Sequence, residues 1–190
     1  MMRSAKALIG YAVEATDGIA GQVVDALFDD LSWTTVYVLL EVGQALTPRR
    51  VLISLSDIEY AGWTEHKLRV AWTRRQLEDR PGPNSGHPES GPQADETDLH
   101  LRSMRDMMGY TIQGRDGRIG RVADLLIDDG SWALVSFLVE TGEWWPGEKV
   151  FISPGWVRIL EPGERVVLSG LDRRTVREGP VFRAQEQWLG

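Results

Sequence analysis

The sequence predicts an all-β protein built as two tandem small antiparallel β-barrels, each of five to six strands with short helical pieces. Three observations predict it. The chain is written twice at one constant offset. Turn signals punctuate each copy. The most apolar segment of each copy alternates with a period of two, as a half-buried strand must.

The repeat runs without a gap. Gly10-Tyr11 recurs as Gly109-Tyr110, 99 residues on, and Asp17-Gly18 as Asp116-Gly117. At the same offset Asp29-Asp30, Ser32-Trp33, Glu41 and Ile53-Ser54 match Asp128-Asp129, Ser131-Trp132, Glu140 and Ile152-Ser153. The expected domains are 1–81 and 99–180. Between them, 82–98 is rich in Pro, Gly, Ser and Glu and reads as a flexible linker. The tail 181–190 carries Val181, Phe182, Trp188 and Leu189, and is expected to pack on domain 1 or on a partner chain.

In each copy a short segment opens behind a cap, Ser4 or Ser103. Strands are predicted near Tyr11 to Ala15 and Gly21 to Phe28 around the Asp-Gly turn, because Gly tolerates positive φ there. The third strand, Thr35 to Glu41, is expected to turn Val36, Val38 and Leu40 inward. Its counterpart turns Val135, Phe137 and Val139 inward. Further strands are predicted over Arg50 to Ser54 and Lys67 to Trp72, with matching segments in copy two, and a polar helical piece closes each copy. Closure into a barrel would remove exposed edges.

Composition excludes several function classes. The 190 residues carry a net charge of -7, which opposes direct binding to nucleic acid. There is no cysteine, so thiolate metal sites and cysteine nucleophiles are ruled out. No signal peptide and no apolar run of membrane-spanning length is seen, so a cytoplasmic protein without membrane insertion is expected.

Taken in order, the Gly-Tyr opening, the Asp-Gly-x-x-Gly-x-Val stretch from Asp17 and the apolar strand ending in Glu-x-Gly resemble the PRC-barrel family. Trp145-Pro146-Gly147-Glu148-Lys149-Val150-Phe151-Ile152 resembles its loop-to-strand stretch; Ala45-Leu46-Thr47-Pro48 in copy one lacks that loop's tryptophan and glycine. The family includes the cytoplasmic domain of the photosynthetic reaction-centre H subunit and the C-terminal domain of a ribosome maturation factor. The resemblance implies a domain that docks onto proteins.

Candidate sites are few. Asp29, Asp30, Asp128 and Asp129 lie in repeated turns, where Asp bonds its own backbone; too few oxygens accompany them for a calcium site. Asp25 and Asp124 stand inside apolar strands, and so must face solvent, sit at a bulge, or bond backbone or a cation. His66, His87 and His100 neither recur nor show ligand spacing. No nucleophile elbow, Walker loop or dinucleotide fingerprint is present. Trp33 and Trp132 read as core or turn-packing residues. Trp144, Trp145 and Pro146 form a loop that either contacts a partner or folds back over the barrel mouth, and with Phe182 and Trp188 they make the candidate interaction surface. The expected function is a non-enzymatic protein-interaction or scaffold module with no cofactor or metal, a protein partner, and a homodimer among its assemblies. A small-molecule binder or enzyme with a site at the inter-domain cleft is the second reading, and a ribosome-assembly adaptor follows from family analogy.

Overall fold

The computed structural model describes residues 1–43, 48–80 and 100–179. In chain order the strands of the first half are β1 (Met2–Ser4), β2 (Ala12–Ala15), β3 (Gly18–Asp29), β4 (Thr34–Val42), β5 (Arg49–Ser54), β6 (Ile58–Gly62) and β7 (Lys67–Val70). Those of the second are β8 (Leu101–Ser103), β9 (Thr111–Gly114), β10 (Gly117–Asp128), β11 (Leu134–Thr141), β12 (Lys149–Ile152), β13 (Val157–Glu161) and β14 (Val166–Ser169). Among the described residues, short α-helices accompany them: α1 (Ala5–Leu8), α2 (Arg74–Glu78), α3 (Met104–Met107) and α4 (Arg173–Glu178). The protein is all-β, with two barrel-like units.

The two compact units do not coincide with the two halves of the sequence. One comprises Ala7–Ser103; the other joins Met1–Lys6 to the chain from Met104 onward. Each is a curled seven-stranded sheet. The first runs β5-β4-β3-β2-β7-β6 with β8 on β3; the second runs β12-β11-β10-β9-β14-β13 with β1 on β10. The sheets are mixed rather than purely antiparallel: β2 pairs parallel with β7, and β9 with β14. A parallel pair needs a crossover, and β3 to β6 supply it. Strands β6 and β13, not expected from sequence, follow 3-10 turns capped by Ser54 and Ser153, whose hydroxyls accept from Ser56 N–H and Gly155 N–H.

The inward face of β3/β4 or β10/β11 forms part of each unit's interior, with residues such as Val13, Ile53, Leu68 and Leu77 in the first and Met104, Ile112 and Val167 in the second. Val38, Leu40, Phe137 and Val139 are fully buried, as expected. Val36 and Val135 are only half-buried. Two shifts of register account for this correction. Leu27 pairs with Tyr37 and Phe28 with Thr35, so Val36 is the extra residue of a bulge; Val135 is its equivalent between Ser136 and Leu134. A bulge reverses the side-chain phase, and Thr35 and Leu134 are buried in their place. The second bulge leaves Val24 and Ala123 unpaired, just before Asp25 and Asp124.

Candidate functional site

The repeated residues converge on one place in each unit, the edge of the long strand. β2 pairs only with the first part of β3, from Gly18 to Gln22. The second part keeps β4 on one side but has no partner from its own copy on the other. Unpaired N–H and C=O groups on such an edge invite another strand. β8 fills it, with Leu27 opposite Ser103 and Asp29 opposite Leu101. In the other unit β1 fills the same edge of β10, with Leu126 opposite Ser4 and Asp128 opposite Met2. Each barrel is therefore completed by a strand that lies just ahead of the other copy in sequence.

Side chains hold the visiting strand by the same contacts in both units. The Asp30 N–H donates to the His100 carbonyl, and the Asp129 N–H to that of Met1, both at 2.9 Å. The Arg102 guanidinium lies 2.7 Å from Asp30, and that of Arg3 lies 3.1 Å from Asp129. The Ser103 hydroxyl donates to Asp25, and the Ser4 hydroxyl to Asp124. His100 also sits 2.8 Å from Asp30 through Nδ1. Arg3 and Ser4 recur as Arg102 and Ser103 at the same 99-residue offset.

The six repeated acids divide the work. Asp29 and Asp128 shape the turn. Asp29 accepts from Leu31 N–H and the Ser32 hydroxyl, and Asp128 from Gly130 N–H, Ser131 N–H and the Ser131 hydroxyl. The Ser131 N–H and hydroxyl, joined by the Met1 amino group, hold the Asp128 carboxyl down at about 2. These turns put Trp33 and Trp132 at positive φ, 55° and 57°, where Trp33 stacks on Phe28. Asp30 and Asp129 face the visiting arginine. Asp25 and Asp124 are buried beside the bulge. Each also accepts from the next residue's N–H, and Asp124 accepts from Lys6 N–H at the start of α1 as well. Burial pushes the Asp124 carboxyl above the ordinary carboxylate value, against the opposing pull of the Ser4 hydroxyl.

Trp144, Trp145 and Pro146 stand apart from this edge. The Trp144 indole N–H donates to the Ile119 carbonyl at 2.7 Å, with the Arg173 guanidinium 5.7 Å above the ring. Arg177 covers Trp145 at 5.8 Å. Both rings are half-buried on their own barrel, and Pro146 is exposed. Phe182, Trp188, His87 and the segment 82–98 lie outside the described residues. Among the described residues, no three His, Asp or Glu side chains are placed to hold a metal ion, and no helix is long and apolar enough to cross a membrane.

The exchanged strands β1 and β8 escape a reading of the sequence because three residues carry no periodicity. Their signal was the repeat of Arg3-Ser4 as Arg102-Ser103, ahead of the Gly-Tyr opening. No protein-family model matches the chain, and no curated protein is similar to it.

Proposed function

We propose that this chain is a non-enzymatic interaction and scaffold protein whose two barrels, PRC-barrel-like in pattern, are strand-accepting modules. The reading is carried by one observation: each barrel's open edge takes a strand, an arginine and a serine from outside its own copy. Strand addition gives affinity through main-chain hydrogen bonds, and the buried aspartate and the acidic turn give selectivity for an x-Arg-Ser segment. Four of the six recurring carboxylates, Asp25, Asp30, Asp124 and Asp129, make that recognition. The same segment supplied by a second chain makes a homodimer with no new kind of contact. A cytoplasmic location belongs to the same proposal.

A protease site inserted between Pro88 and Gly91 tests it. The nicked halves should co-elute at the mass of the intact chain by size-exclusion chromatography with light scattering. Arg3→Asp should loosen them, and adding Asp129→Arg should restore them. Halves that separate as stable monomers, or an Arg3→Asp defect that Asp129→Arg leaves uncorrected, would refute the reading.

A further inference from the structure

In the first unit a groove of about 510 Å³ opens between the β2–β3 hairpin and α2; its lining includes Ile19, Ala20, Gly43, Arg74, Glu78 and Asp79. The 99-residue offset maps these onto Arg118, Ile119, Gly142, Arg173, Arg177 and Glu178. In the second unit that place is filled. Trp144 donates to the Ile119 carbonyl beneath Arg173, and Trp145 lies under Arg177. The residues that match Trp144 and Trp145 are Ala45 and Leu46, which bring no ring. The first unit thus keeps the carbonyl and the arginine of an indole site without an indole of its own at that point in the sequence.

Two substitutions say what the first groove takes. Ile19 stands where the second copy has Arg118 and is 60% exposed, an apolar wall facing water. Glu78 stands where the second copy has Arg177, so that position of the groove turns from basic to acidic; Arg75, which also lines the groove, is paired with Asp79 at 3.9 Å. Arg74 remains, its backbone N–H donating to Asp17 at 2.8 Å and its guanidinium 3.6 Å from the same carboxylate, with the side chain about half exposed. An arginine above an aromatic face is favourable, and a carbonyl at the rim orients the indole N–H. We propose that this groove docks a partner peptide through a tryptophan side chain with a basic residue next to it, the ring between Ile19 and Arg74 and the cation toward Glu78. The inference stands independently of the strand exchange.

The test titrates the intact chain with acetyl-Trp-Arg-amide, using acetyl-Ala-Arg-amide as control, and follows the Ile19 methyl and Arg74 Nε–H signals by NMR. The tryptophan peptide should shift both signals saturably and the alanine peptide should not. Arg74→Ala should weaken binding roughly two- to fivefold. Ile19→Arg, at an exposed position, should weaken it with the fold intact. Replacing Ala45 and Leu46 together by tryptophan should abolish it. The proposal is overturned by the absence of a saturable shift, by equal shifts with the alanine peptide, or by full binding after the double replacement. Deleting residues 181–190 should leave affinity unchanged; marked tightening would show that the chain's own tail is the occupant and overturn a partner peptide.

Discussion

Asp124→Ala is the sharpest perturbation of the strand-accepting edge. The Asp124 carboxylate accepts from Lys6 N–H, Leu125 N–H and the Ser4 hydroxyl, and the residue is only 4% exposed. Ser4 can rotate its hydroxyl toward another acceptor, but the two backbone donors cannot move. A buried donor left unpaired costs about 1–3 kcal/mol. Part of that is offset because the alanine removes a carboxylate whose burial is unfavourable, so the expected loss is about 2–4 kcal/mol. For a unit of this size that lowers Tm by roughly 10–20 °C. Asp124→Asn keeps one carbonyl oxygen for the two backbone donors and should stay within about 1 kcal/mol of wild type. Calorimetry reads the Tm, and hydrogen exchange at β1 reads whether the visiting strand is released. An alanine variant that melts within about 1 °C of wild type would sink the claim that this carboxylate holds the strand. The variants also separate by pH. The folded value of Asp124 is raised, so its contribution is fully present below the ordinary value of 3.8 and is lost as pH rises through the elevated one. The advantage of wild type over Asp124→Asn should therefore shrink from pH 3 toward neutrality.

Asp128 has the opposite sign: its folded value is lowered to about 2, so its contribution is present above the ordinary 3.8 and lost as pH falls toward 2. Asp128→Asn should lower Tm near neutrality and converge with wild type at about pH 2, and a gap that persists there would assign the loss to turn geometry instead of charge. At Gly120, where β10 passes close over β11, an added Cβ would overlap the Glu140 carbonyl oxygen, and Gly21 meets Glu41 in the same way. Gly120→Ala should cost at least about 1–3 kcal/mol by denaturant titration, because backbone cannot yield as a side chain can; an unchanged midpoint would contradict that packing.

Much of each barrel was legible in the sequence. The Asp-Gly turns, the alternation through Val38 and Leu40 and the polar pieces that close each copy as α2 and α4 are local signals, and the elements stand where those signals put them. Glu41 and Arg50 stand directly opposite each other, as do Glu140 and Lys149, because the apolar alternation sets the register. Val36 and Val135 fell on the wrong side because a bulge inserts one residue without changing residue type. The parallel pairs β2–β7 and β9–β14 were hidden because nothing in a four-residue strand records the direction of its neighbour.

The candidate site divides along the same line. The sequence by itself determined that there are two equivalent barrels, that six aspartates recur in them, and that copy one lacks the tryptophans of copy two. These are matters of identity and spacing, which a duplicated chain displays openly. Only the tertiary structure decided what the aspartates are for and which copy's segment meets them. Ser4 and Asp124 lie 120 residues apart, and Ser103 and Asp25 lie 78 apart, so neither pair leaves a trace in local pattern. A buried carboxylate is tolerable only once its donors arrive, and here they arrive on strands that fill an edge the barrel's own short β2 or β9 cannot cover.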